Sequence, residues 1–270
     1  MKSMKAIQRR GVLLSLALCA AMSSGLQAQP VRVETPSSPQ SPEYVAALTR
    51  WKSSFSAFDD ADKEKQPGAD GVLFVGSSTI RFWKQMAQDF RQVPVVINRG
   101  FGGSTMADCS LFARDLVVRY KPRHVLVYAG DNDLAEGRTP LQVLESFASF
   151  ANTVRSELPG TRISYISIKP SPSREALMPK MRETNNIISA YLRTVPNSDF
   201  IDIYTPMIGP DNRARPELFL RDRLHMNEEG YRLWQSVIAS HVPAAVLPPT
   251  APVVPSVPAP TVFTPARVVQ

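Results

Sequence analysis

Four short segments carry side chains that can do chemistry together. In Gly76-Ser77-Ser78-Thr79, a glycine permits a tight turn and Ser78 stands at the mouth of a following helix. Backbone N–H groups and the helix dipole favour developing negative charge there. A serine at that place also serves as a plain N-cap, so the segment alone does not define a nucleophile. It is not a Gly-x-Ser-x-Gly elbow, because Ile80 occupies the second glycine position. In Asp222-Arg223-Leu224-His225, the carboxylate can accept from one ring nitrogen while the other faces a serine. Of the three histidines, His124 precedes an apolar run and His241 ends a helical pattern, which leaves His225 as the candidate base. In Gly130-Asp131-Asn132-Asp133, Asn132 offers two side-chain N–H donors to an oxyanion. The two aspartates do not complete a calcium or magnesium shell, and such a segment also reads as a turn. The glycines of Asn98-Arg99-Gly100-Phe101-Gly102-Gly103-Ser104 suit a backbone N–H aimed at a substrate oxygen, or a simple tight turn. Their spacing is neither that of a dinucleotide-binding loop nor that of a P-loop.

Each segment follows an apolar run or opens a helical pattern. The runs are Val72–Val75, Val93–Ile97, Val125–Ala129, Ile163–Ile168 and Phe200–Ile203, continuous as in strands buried on both faces. Between them the patterning predicts helices over Thr79–Phe90, Thr105–Tyr120, Thr139–Leu158, Glu175–Thr194 and Asn227–Val242. Another is expected over Pro42–Phe58, with Ser41 as its N-cap. Alternating strands and helices imply an α/β fold, a parallel sheet between two helical layers. Active sites of such sheets lie off the carboxyl ends of the strands, where the candidate residues fall.

Taken together, these blocks resemble the SGNH hydrolases, the GDSL-like lipase and acylhydrolase superfamily, over about residues 70–240. Gly76–Thr79 matches the Gly-Asp-Ser-Leu block, Gly100–Ser104 the glycine block, Gly130–Asp133 the Gly-x-Asn-Asp block and Asp222–His225 the Asp-x-x-His block. The resemblance implies a three-layer α/β/α sandwich of flavodoxin-like type with a five-stranded, mostly parallel sheet. It implies Ser78 as nucleophile in a triad with His225 and Asp222. It also implies an oxyanion hole of the Ser78 N–H, the Gly103 N–H (or that of Gly102) and the Asn132 side chain. Ser77 departs from the family pattern, replacing the aspartate that normally precedes the nucleophile.

The ends of the chain suggest an address. Residues 1–28 read as a cleavable signal peptide: Lys2, Lys5, Arg9 and Arg10 precede the apolar run Gly11–Met22, and Ala28 provides a small residue for cleavage. That run is too short for the roughly 20 residues of a membrane span. Arg9-Arg10 bears a weak likeness to a twin-arginine signal. Residues 29–41 read as a flexible leader, 42–242 as the hydrolase domain and 243–270, with eight prolines, as a Pro-rich disordered tail. Removing the signal peptide's four basic residues lowers the formal charge from +7 to +3, too little to indicate nucleic acid or an anionic membrane. Cys109 then remains as the single thiol, which excludes an internal disulfide.

The expectation is a secreted or periplasmic serine esterase, acting without metal or cofactor on short-chain acyl esters, O-acetyl above all, of a small molecule or carbohydrate. The rival readings are a dedicated carbohydrate or cell-wall O-acetyl esterase and a non-catalytic glycan-binding protein that keeps the fold. Phe101 is expected either to line an acyl or sugar pocket or to pack under its loop. Arg174, after the fourth run, is expected either to bind an acidic substrate group or to lie on the surface.

Overall fold

The computed structural model describes residues 41–244; the signal segment, all but the last residue of the leader and most of the Pro-rich tail lie outside them. Five strands, β1 (Val72–Gly76), β2 (Val96–Gly100), β3 (His124–Tyr128), β4 (Arg162–Ile166) and β5 (Ser198–Ile201), form one sheet in the order β2-β1-β3-β4-β5. Every pairing is parallel, so the sheet is wholly rather than mostly parallel. β1 and β3 are buried along their whole length, as their uninterrupted apolar sequences require.

The helices are α1 (Pro42–Glu64), α2 (Ser78–Arg81), α3 (Met86–Asp89), α4 (Met106–Leu111), α5 (Ala113–Leu116), α6 (Asp131–Ala135), α7 (Pro140–Glu157), α8 (Met178–Leu192) and α9 (Glu228–Ile238). Val72, Phe74, Leu126 and Tyr128 face a core with Trp83, Phe90, Trp234 and Ile238, which places α3 and α9 on one side. On the other side α7 packs on Tyr165 through Phe147, with ring centroids 4.8 Å apart. α7 begins as its sequence predicts, with Pro140 in the first turn and a capping box between Thr139 and Gln142. Ser41 caps α1 by accepting from the Tyr44 N–H at 3.1 Å.

Several boundaries differ from the sequence reading, each for a tertiary reason. β2 begins at Val96 rather than Val93, because Pro94 has no N–H to give a ladder. It runs on through Asn98-Arg99-Gly100, which the sequence assigned to a loop; the buried Arg99 is neutralised there by Asp62 of α1. The Tyr120 hydroxyl donates to the same carboxylate at 2.6 Å, and α1 continues to Glu64 rather than ending at Phe58. The single helix expected over Thr79–Phe90 is broken into α2 and α3. Asn98 Nδ2 donates to the Ile80 carbonyl at 2.8 Å, where a continuing helix would have placed its own N–H. The Thr105–Tyr120 helix is likewise broken at Phe112, whose ring is packed between Tyr44 and Phe55.

β1 sits between β2 and β3, with Gly76 opposite both Gly100 and Tyr128. Gly76 has φ +148°, and a Cβ there would lie 1.8 Å from the Tyr128 carbonyl oxygen. Gly76→Ala should therefore cost at least about 3 kcal/mol in chemical denaturation, since both strain and a backbone clash oppose it. Gly137 also has a positive φ but nothing within 4 Å of its added Cβ, so Gly137→Ala should cost only about 1–2 kcal/mol. Equal losses would show that close approach to Tyr128 is not what requires a glycine at position 76.

Candidate active site

Ser78 is the first residue of α2, directly beyond β1, so its backbone N–H has no acceptor within the helix. Ser77 caps that helix through its backbone carbonyl, accepting from Ile80 and Arg81. Its own side chain is buried and its hydroxyl has no hydrogen-bond partner, so it takes no part in positioning Ser78. The Ser78 Oγ lies 3.0 Å from His225 Nε2, and His225 Nδ1 lies 2.6 Å from Asp222 Oδ2. These partners assign the tautomer: Nδ1 carries the proton toward Asp222, and Nε2 presents its lone pair to the Ser78 hydroxyl.

The loop bearing His225 is pinned on both sides. Asp222 Oδ1 accepts from the N–H groups of Leu224 and His225, closing the turn between acid and base. Arg223, between them, has φ +58°. Just beyond, Asn227 caps α9 and donates to the Glu217 carbonyl, while Met226 is buried in the core. Desolvation works to raise the Asp222 carboxyl, but its hydrogen bonds from His225 and the two N–H groups prevail and hold it down at about 2. Asp222 is therefore a carboxylate throughout the neutral range. Phe82, one turn after Ser78, meets the His225 ring edge-on at 5.0 Å.

The glycine loop follows β2. Gly103 has φ +86° and is exposed, whereas a side chain at Gly102 would meet the Arg81 guanidinium. The loop is backed by α1: the Trp51 ring lies 3.7 Å from the Cβ position of Gly103, and Trp51 Nε1 donates to Asp108 at 3.0 Å. Phe101 is 0% exposed and stacks edge-on against Trp51. Of its two expected roles, packing under the loop is the one its burial and its contact with Trp51 support.

Asn132 lies in the first turn of α6, rather than in the open turn expected after β3. Its Nδ2 donates to the Ser104 carbonyl at 2.9 Å, which binds the two candidate oxyanion segments to each other. Its Oδ1 accepts from Arg174 Nη2 at 2.9 Å. The flanking acids have internal partners. Asp133 is buried and accepts from the Met106 N–H at 2.8 Å, and burial raises its carboxyl to about 6. Asp131 faces two cations, Arg174 at 3.0 Å and the fully buried Lys169 at 3.4 Å. Arg174 is thus neither a plain surface arginine nor directed at open solvent; its side chain is 18% exposed and engaged with Asp131 and Asn132. Among the described residues no group of histidines, cysteines and acids forms a metal cluster.

The structure brings together Ser78, His225, Asp222, Asn132 and the Gly102-Gly103 turn, and leaves Phe101 outside. Sequence reasoning missed Trp51, Phe82 and Lys169. A lysine directly after an apolar run was the one visible signal, since a strand end buried on both faces has no solvent for an ammonium. Phe82, whose ring meets His225, also walls a cleft of about 650 Å³ together with Trp83, Leu220, Met226 and Tyr231, with charges at its rim; neither Ser78 nor His225 lines it. Phe82 and Leu220 are among the few exposed large apolar side chains among the described residues.

A doubly wound, five-stranded parallel sheet with a Ser-His-Asp hydrogen-bond chain at its carboxyl edge defines a three-layer α/β/α sandwich of the flavodoxin-like kind. The chain belongs to the GDSL-like lipase/acylhydrolase family, whose description matches residues 68–233. No curated protein matches the sequence. Among solved structures, the chain is similar to a GDSL-like lipase from Bacteroides thetaiotaomicron at 23% identity and a TM-score of 0.58, over 72% of this chain and 96% of that one. It is also similar to a variant of a Geobacillus acetyl-xylooligosaccharide esterase, at 16% identity and a TM-score of 0.54, over 64% and 94% of the two chains. A carbohydrate esterase of family 3 from Talaromyces cellulolyticus matches at 16% identity and a TM-score of 0.51, over 63% and 94%. At these identities the likeness is one of fold. Together with the family match it makes this protein a hydrolase of the ester-cleaving acylhydrolase group.

The other histidines lie away from the site. His124 opens β3, buried, with Nε2 2.7 Å from the Ser164 hydroxyl, and His241 pairs with Asp199 at 2.6 Å. Burial pushes the His124 imidazole from 6.5 down to about 3. The fold holds it neutral, whereas the unfolded chain takes up a proton below about pH 6.5. Stability from this source is full above that value and is lost as pH falls toward 3. His124→Gln should flatten the decline of stability across that window relative to the unsubstituted protein; identical pH profiles of the denaturation midpoint would refute the neutral assignment.

Proposed function

We propose that this protein is an exported serine esterase that removes short acyl groups, acetyl above all, from hydroxyls of a carbohydrate. The observation that carries the reading is the unbroken chain Asp222–His225–Ser78, with contacts of 2.6 and 3.0 Å. Ser78 Oγ attacks the acyl carbon while His225 Nε2 takes the hydroxyl proton. The tetrahedral intermediate collapses, its bond to the alcohol oxygen breaks, and His225 returns the proton to that oxygen. A water then repeats the sequence on the acyl-serine: it gives a proton to His225, its oxygen bonds to the acyl carbon, and the Ser78 oxygen leaves carrying the proton back. Asp222 stabilises the imidazolium that forms twice in this cycle. The N–H groups of Ser78 and Gly103 and the Asn132 amide meet the oxyanion.

Two features support the substrate class. His225 must deliver its proton to the leaving alcohol, and Phe82, whose exposed ring meets His225, also walls a neighbouring cleft with a charged rim. That suits a sugar ring, which has one apolar face and a belt of hydroxyls. Two of the structurally similar proteins are named for an acetyl-xylooligosaccharide and for carbohydrate esters, which agrees with this class. Export rests on the signal-like residues 1–28; no helix among the described residues is long and apolar enough to cross a membrane.

Acetyl and butyryl p-nitrophenyl esters should turn over faster than long-chain ones, and acetylated xylan or peptidoglycan should release acetate; a long-chain preference would overturn the short-acyl assignment. Ser78→Ala and His225→Ala should each lower kcat by about 10⁴ or more, with the double variant little worse, because the two act as one unit. An organophosphonate should label Ser78. A folded protein in which Ser78 neither reacts nor matters for turnover would instead be a glycan-binding relative.

Asn132→Ala should slow the chemical step by about 10²–10³, and Asn132→Asp should be worse, since it sets a negative charge beside the oxyanion. If Asn132 serves only the local backbone, Asp will remain active and Ala will lose melting temperature, so the pair of variants separates the roles.

A further inference from the structure

We infer that Arg174 is a positioning residue that fixes the orientation of the Asn132 carboxamide, so that one amide N–H is presented to the oxyanion. The inference rests on the esterase reading above and adds a member to its machinery. An asparagine amide has two faces that differ by a flip, and an amide free to rotate presents its oxygen as readily as its nitrogen. Here both ends are committed. Nδ2 donates to the Ser104 carbonyl and Oδ1 accepts from Arg174 Nη2, each at 2.9 Å. A flipped amide would set its NH₂ against a guanidinium and its oxygen against a carbonyl, turning two attractions into two repulsions. The nitrogen has two hydrogens; with one on Ser104, the other is left for a substrate oxygen. The guanidinium also draws electron density from the amide oxygen, which makes the N–H a stronger donor.

Arg174 is itself held in place. Its Nη1 lies 3.0 Å from Asp131 Oδ2, so one planar guanidinium engages two consecutive side chains at the start of α6. Asp131 is buried and anchored from behind by Lys169, which is 1% exposed. Burial works against the Lys169 charge, and Asp131 is the main group that supports it. The arginine is thus the outer end of a buried Lys169–Asp131–Arg174 row whose tip is the Asn132 amide. At Arg174 the backbone leaves helical geometry, with φ −119° and ψ 28°, inside the turn Pro172–Leu177 that precedes α8. This arrangement accounts for an arginine whose side chain is mostly buried and held by Asp131 and Asn132.

The test compares kcat and KM on p-nitrophenyl acetate, a neutral ester, for the unsubstituted protein, Arg174→Ala, Arg174→Lys, Asn132→Ala and the double variant Arg174→Ala/Asn132→Ala. Arg174→Ala should lower kcat about tenfold with KM nearly unchanged, within the 10²–10³ ceiling that losing the whole donor sets. In the Asn132→Ala background it should have no further effect on kcat, because a residue acting through Asn132 has nothing left to act on. Arg174→Lys keeps the charge beside Asp131 but lacks the fork to reach both partners, so it should fold normally and remain several-fold slow. It carries the test if Arg174→Ala does not fold. Equal losses from Arg174→Ala with and without Asn132 would overturn the inference in favour of a general structural role. A raised KM confined to anionic esters would overturn it in favour of direct substrate binding. Absence of any Ser78-dependent turnover in the unsubstituted protein would bring down the esterase reading itself, and this inference with it. That failure is distinct from an active enzyme indifferent to Arg174.

Discussion

The site depends on one close approach, that of Gly76 to its two neighbouring strands. Its carbonyl accepts the Phe101 N–H at 2.9 Å, and the next residue's N–H reaches the Tyr128 carbonyl at 3.1 Å. The end of β1 is thereby tied to the glycine loop on one side and to the start of the Asn132 segment on the other. No other residue type leaves room for the Tyr128 carbonyl at this point. Ser78, Gly103 and Asn132 follow three strand ends that are locked in register, Gly76 opposite Gly100 and Tyr128.

Onto this frame Asp222 and His225 are brought from far along the chain. His225 arrives on a loop whose other residues are spent on holding it: Asp222 closes the turn, Met226 enters the core and Asn227 caps α9. Position is therefore set by packing and by the Asp222 hydrogen bonds. The contrast with His124 is physical: that imidazole is buried beside Ser164, with its charged form suppressed by desolvation, while His225 is partly exposed and pairs with a carboxylate held well below the usual range.

Charge inside the molecule follows a common rule, that a buried ion requires partners. Asp62 is met by Arg99 and Tyr120, and this fastens α1 over the glycine-loop side of the sheet. Asp131 is met by Lys169 and Arg174 behind the Asn132 amide. The second of these clusters touches the Asn132 amide directly through Arg174, whereas the first acts on the placement of α1.

Sequence by itself determined the strand–helix alternation, the parallel sheet and the four segments at its edge. These are local matters: continuous apolar runs of strand length, a glycine where a turn must be tight, and an acid three residues from a histidine. The family resemblance then singled out Ser78, Gly103 and Asn132. Element boundaries were less legible, because Asn98 takes a carbonyl from α2 and Asp62 neutralises Arg99, and these partners lie 18 and 37 residues away in the chain. Only the tertiary structure decided that Phe101 packs, that Trp51 backs the glycine loop and that Arg174 turns to Asn132 across 42 residues of chain. The physical reason is that side-chain direction in a loop is set by whichever partner the fold brings near, and residue type alone leaves an arginine equally suited to solvent, to a substrate carboxylate or to an amide oxygen.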